Sequence, residues 1–124
     1  MSRSEPCKRL AAARLALLDI AGECCSRGAD LTTGQLLAFG PGVPDALGRL
    51  TTEIREGDQA SIEAAARAFA KAVTLRVEEL PREGLDDPSL VLLGAVLTLR
   101  GRLVVADNAD ADVRAAEKKA GADG

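Results

Sequence analysis

The apolar positions of the chain recur at steps of three and four over most of its length. Leu10, Ala13, Leu17, Ile20 and Cys24 form one such series, and Leu18, Ala21 and Cys25 widen it. Lys8, Asp19, Glu23 and Ser26 leave a narrow polar edge. Steps of three and four place side chains on one face of an α-helix, so this pattern predicts a helix buried on most sides. Ser4 suits its N-cap, Pro6 its first turn and Gly28 a left-handed stop.

Next, "LTTGQLLAF" predicts one or two turns capped by Thr32 or Thr33 and ending at Gly40. Pro44 opens a further helix with Val43, Leu47, Leu50 and Ile54 on its apolar side and Gly57 at its end. Asp58 caps the clearest helix of all. Ile62, Ala66, Phe69, Val73, Val77 and Leu80 line one face, Glu63, Arg67, Lys71 and Glu78 the other, and Pro81 stops it. Glu63 and Arg67 have the spacing of an intrahelical ion pair.

"DDPSLVLLGAVLTLRGRLVVAD" admits two readings. Asp87 and Pro88 start a helix well, and Leu90, Leu93, Leu97 and Val104 can share a face. Gly94 and Gly101 then lie on one side, where they admit a close neighbour. The stretch 96–105 also alternates enough to form a hairpin turning at Arg100–Gly101. Its length and its helical surroundings favour the helix. The expected architecture is all-α: a single bundle domain over residues 1–106, with four main helices and one short connecting helix. Residues 107–124 carry few apolar anchors beyond Val113, which predicts a frayed helix or disordered tail.

Composition sharpens this picture in two ways. Leu, Ala and Val supply the apolar content, with Phe39 and Phe69 the two aromatics and neither Trp nor Tyr present. Such a core is thin and lets helix axes come close. The net charge of −3 is spread over interspersed acids and bases, without the basic excess that nucleic acid or anionic lipid attracts. The run Leu90–Leu99 is about half a membrane span, and Arg100 and Arg102 follow it. No secretory leader is recognisable at the start, and three cysteines make no disulfide framework, so a cytoplasmic setting is expected.

The chain has no histidine. That removes the usual proton-transfer group near neutral pH, the commonest metal ligand and the base of Ser–His and Cys–His pairs. Asp19 is the one acid flanked by apolar residues, but it falls on the polar edge. Cys24 and Cys25 are adjacent, so their side chains diverge by about 100°, and Cys7 lies roughly 25 Å away along the same helix. They read as small core residues rather than zinc ligands. "DNADAD" imitates a calcium loop through Asn108, Asp110 and Asp112. However, Val113 stands where the loop needs glycine and Lys119 where it needs glutamate. "GPG" is no phosphate cradle. No catalytic, cofactor or metal site is therefore expected.

These features predict a non-catalytic protein-interaction module, an adaptor, small inhibitor or assembly subunit. It would act through an apolar helix face formed by Leu10, Leu17, Ile20, Leu90, Leu93 and Leu97. Its expected partner is another protein or a second copy of itself, a homodimer, with no membrane involved. The alternative is a DNA-binding regulator. Residues 33–56 have the layout of a helix-turn-helix, with Arg49, Thr52 and Arg55 as readers and Lys8, Arg9 or Arg14 touching phosphate. Asp45, Glu53 and Glu56 on the same helix oppose that role. An apolar-ligand carrier would need an enclosed cavity of about 300 Å³ or more.

Overall fold

A computed structural model of the chain describes residues 4–74 and 87–123. The described residues form five helices: α1 (Ser4–Gly28), α2 (Thr33–Phe39), α3 (Val43–Glu56), α4 (Gln59–Ala72) and α5 (Asp87–Asp123). The all-α bundle of four main helices and one short connector is the architecture that the periodicity predicts.

The backbone of the fold is the antiparallel pairing of α1 and α5. At one end Leu10 and Ala13 pack against Ala106 and Ala109, with Val113 covering them. Further along, Leu17, Ile20, Ala21 and Cys24 enter the main core beside Leu92, Leu93, Val96 and Leu99. Small residues at Ala13, Ala21, Ala95, Ala106 and Ala109 let the two axes approach. α3 and α4 pack on this pair and close the core with Leu47, Leu50, Ile62, Ala66 and Phe69.

Several helix ends follow local chemistry. Thr32 and Gln35 form a reciprocal capping box at α2, Gln35 N donating to Thr32 Oγ1 at 3.2 Å and Thr32 N to Gln35 Oε1 at 2.7 Å. Asp58 accepts from Ser61 N at 2.8 Å and caps α4. Gly28 behaves differently from expectation. It is the last residue of α1 without a left-handed φ, and a Cβ there would lie 2.3 Å from Leu47 Cδ2. A larger residue at that point would have to displace the Leu47 side chain of α3.

Three further expectations are corrected. α4 stops at Ala72, and Val73 is already extended, because its carbonyl and that of Ala70 accept from Arg100 Nη2 at 2.6 and 3.3 Å. Val77, Leu80 and Pro81 lie outside the described residues. The hairpin variant at 96–105 is overturned, since α5 runs unbroken through it. Nor is there a break at residue 106. The same inward stripe continues through Ala109 and Val113 onto α1, so the first part of the expected tail packs as helix.

The stretch "FGPGVPDALG" is a corner. Gly40 has φ +158°, and a Cβ on it would sit 2.2 Å from the Ala72 carbonyl oxygen. Beside it, Thr74 N and Oγ1 donate to Phe39 O at 2.8 and 3.3 Å. The end of α2 is thereby locked to the end of α4, and Val43–Pro44 starts α3 in a new direction. Gly40→Ala should destabilise the fold by about 2–3 kcal/mol in chemical denaturation, because backbone must move. Gly42→Ala is the control. Its Cβ would stand 3.8 Å from the Ala72 Cβ, an ordinary contact, and the change should stay within about 0.5 kcal/mol.

Candidate interaction surface

The structure divides the expected interaction face in two. Leu10, Leu17, Ile20 and Leu93 are buried in the seam between α1 and α5, so they are core and not a docking surface. Most of the apolar excess of α1 is consumed within the chain by α5, with Leu15 left exposed. Leu90 and Leu97 do face outward, 46% and 42% exposed. They belong to a larger stripe on α5 with Val91 (44%), Val104 (59%) and Val105 (53%).

Gly94 and Gly101 lie within this stripe, both exposed. A Cβ on either would meet nothing within 4 Å, so the close neighbour expected there is not supplied by the described residues. Thr98, also exposed, turns its hydroxyl back to Gly94 O at 3.0 Å and leaves its methyl group for the surface. The five large apolar side chains together expose on the order of 400 Å², the size at which contiguous patches mark interaction sites.

The middle of this face is clear of acids, whereas Arg27 and Asp30 share a groove with Val91 at one end and Arg9, Arg102 and Asp112 share one with Val105 at the other. Arg100 points inward to the end of α4, and Arg67 of α4 makes a two-pronged pair with Asp107, Nη1 donating to Oδ2 at 3.1 Å and Nη2 to Oδ1. The guanidinium holds the Asp107 carboxyl below its ordinary 3.8. Glu63 is not paired with Arg67 as the spacing suggested. Its Oε1 lies 3.2 Å from Arg14 Nε on α1, a charge contact without an aligned hydrogen bond. Both pairs tie neighbouring helices together rather than one helix to itself. Arg102 is the one exposed cation on the outward face between Leu90 and Val105.

The remaining candidates form no built site. Cys24 is buried, and that burial, with Cys25 and Glu23 nearby, pushes its thiol up to about 12. Cys25 is also raised by burial, partly offset by a hydrogen bond with Thr51. Cys7 is exposed and apart from both. Among the described residues no three His, Cys, Asp or Glu side chains converge as a metal site. Asp19 is exposed on the polar edge of α1. Among the surface grooves open to solvent, two lie against α5 and another helix. One, of about 660 Å³, lies between α4 and α5 beside Arg67, Lys71 and Leu103. The other, of about 430 Å³, lies between α1 and α5 beside Ala12, Ala16 and Val105.

The helix-turn-helix layout exists in outline as α2, residues 40–42 and α3. Arg49, Thr52 and Arg55 are exposed on α3, in company with Asp45 and Glu56. Arg49 and Glu53 border a groove against α4, and the Thr52 hydroxyl donates to Gly48 O at 3.1 Å. Of the basic residues expected at phosphate, Arg14 contacts Glu63, Arg9 shares a groove with Asp112, and Lys8 is exposed on α1. By length and composition, residues 88–119 of α5 could cross a bilayer, yet 44% of the most apolar window is buried inside the molecule.

Gly94 and Gly101 were singled out from sequence, whereas Val91 and Val105 were not. A usable signal was present, because the inward series Leu92, Val96, Leu99, Leu103, Ala106 continues to Val113 whereas the outward one ends at Val105. The longer series is the one that matches α1. Comparison with known proteins finds no matching family, curated relative or solved structure.

The Arg67–Asp107 pair makes a pH-dependent contribution. A carboxyl held below its unfolded value stabilises the fold above that value, and the gain is lost as pH falls through the folded value. Both groups are about half exposed, so Asp107→Asn should cost less than about 1 kcal/mol near pH 7. The difference between wild type and variant in thermal unfolding should shrink as pH falls below 3.8 and vanish once Asp107 is protonated in the folded state.

Proposed function

We propose that this chain is a non-catalytic helical interaction module that docks through the outward stripe of α5, in a cytoplasmic setting. The observation that carries this reading is the contiguous patch of Leu90, Val91, Leu97, Val104 and Val105 around two exposed glycines, with Arg100 and Asp107 turned aside. Free energy favours covering such a surface, and α1 and α4 already occupy the opposite side of the helix. The lack of histidine and the thiols of Cys24 and Cys25, raised by burial, support binding over catalysis. Three free cysteines suit a reducing compartment.

The test is capture from source-cell extract with tagged wild type and Leu97→Glu. A specific protein, or untagged copies of this chain, should be retained by the wild type and lost by at least tenfold with the variant. Leu97 is half exposed, so helix content should not change. Identical captured sets from the two baits would overturn the proposal.

A further inference from the structure

The outward face of α5 has a symmetry of its own. Reflection about the midpoint between Leu97 and Thr98 exchanges Leu90 with Val105, Val91 with Val104 and Gly94 with Gly101. All eight residues are exposed. Such a face suits two-fold antiparallel pairing of identical helices, in which each residue meets its reflection in the other copy and here finds a side chain of similar size. We propose that the occupant of this face is a second copy of the chain, its α5 crossing antiparallel with the two-fold axis beside Leu97 and Thr98. This rests on the reading of α5 as the docking surface and specifies its partner.

The glycines supply an independent reason. In a helix interior each is less favourable than alanine, and neither is required by the chain's own packing among the described residues. Against an identical helix, Gly94 of one copy faces Gly101 of the other at two equivalent points. The axes can then approach to the short end of the usual 8–10 Å range. Leu90 and Val91 meet Val105 and Val104 outside each glycine pair and seal both ends.

Charge selects direction. A parallel pairing would bring Arg102 beside Arg102 and Asp112 beside its own copy. The antiparallel pairing separates the two arginines by about 13 Å along the axis and sends the two Asp112 carboxylates to opposite ends. It also opposes the helix dipoles. The stripe between Leu90 and Val105 carries no acid, so a charged peptide finds little to recognise there. Two copies would bury about 1,000 Å² in total, the low end for a specific interface, which predicts dissociation on the order of tens of micromolar.

The test is sedimentation velocity from about 5 to 500 µM, with thermal unfolding of each protein as the fold control. Wild type should pass from monomer to dimer, and Leu97→Glu should weaken association at least tenfold with its melting temperature retained. Gly94→Ala with Gly101→Ala should raise the melting temperature of the dilute monomer while weakening the dimer, a split that a purely intramolecular role would not produce. Orientation is read by oxidation in a Cys7→Ser background. Leu90→Cys should couple with Val105→Cys in a mixture, each in preference to itself. Self-coupling of each variant would overturn the antiparallel arrangement. A wild type that stays monomeric at 500 µM, or binds lipid vesicles through Leu97 instead, would overturn the second copy as occupant. The docking role of α5 would survive monomeric behaviour if a different protein were still captured through Leu97, and would fall with it if none were.

Discussion

Everything in this molecule depends on the antiparallel seam between α1 and α5. The inner side of the 37-residue α5 is apolar from Leu92 to Val113, a stretch of about 32 Å that the 25-residue α1 is long enough to cover. The alanines at 13, 21, 95, 106 and 109 set how close the two can come, and Leu17, Leu92, Val96 and Leu99 fill the space between them. α3 and α4 are added to that pair. They are held at the corner by the Gly40 approach to Ala72, by Arg100 on the last carbonyls of α4, and by the ion pairs to Arg14 and Asp107.

That seam also determines what is left over. A helix apolar on two sides can bury only one of them in a bundle of this size, and the choice falls to the side whose periodicity extends furthest along α1. The outward side of α5 is then left with large apolar groups, two glycines and one arginine. Removing that surface from water is the strongest driving force the exterior of the protein offers. A binding role follows from this leftover face more directly than from any reactive group, since the thiols of Cys24 and Cys25 are suppressed by burial and the acids are spread along exposed faces.

Much of the fold was legible because helix punctuation is local. Thr32 with Gln35, Asp58 and Pro44 mark their helix starts through contacts within one turn, and the structure places starts there. The misreadings share a non-local cause. Gly28 looks like a left-handed stop until Leu47 arrives from α3, and Arg67 looks like a partner for Glu63 until Asp107 arrives from α5. Similarly, α4 is cut short at Ala72 by Arg100, which lies 28 residues further along. The docking face was only half legible for the same reason. Leu93 and Leu97 are alike in composition, and only the position of α1 decides that one is core and the other surface.

The central claim is that the outer stripe of α5 is open in the isolated chain and covered when the protein acts. Methyl NMR with a soluble paramagnetic probe reads this directly as protein concentration rises. The account predicts that the methyls of Leu90, Val91, Leu97, Val104 and Val105 lose probe access together, while Leu15 on α1 and Leu37 on α2, also exposed, keep it. Equal probe access for all seven residues at every concentration would contradict self-coverage of this face. The same equality in the presence of captured protein would contradict its use as a docking surface altogether.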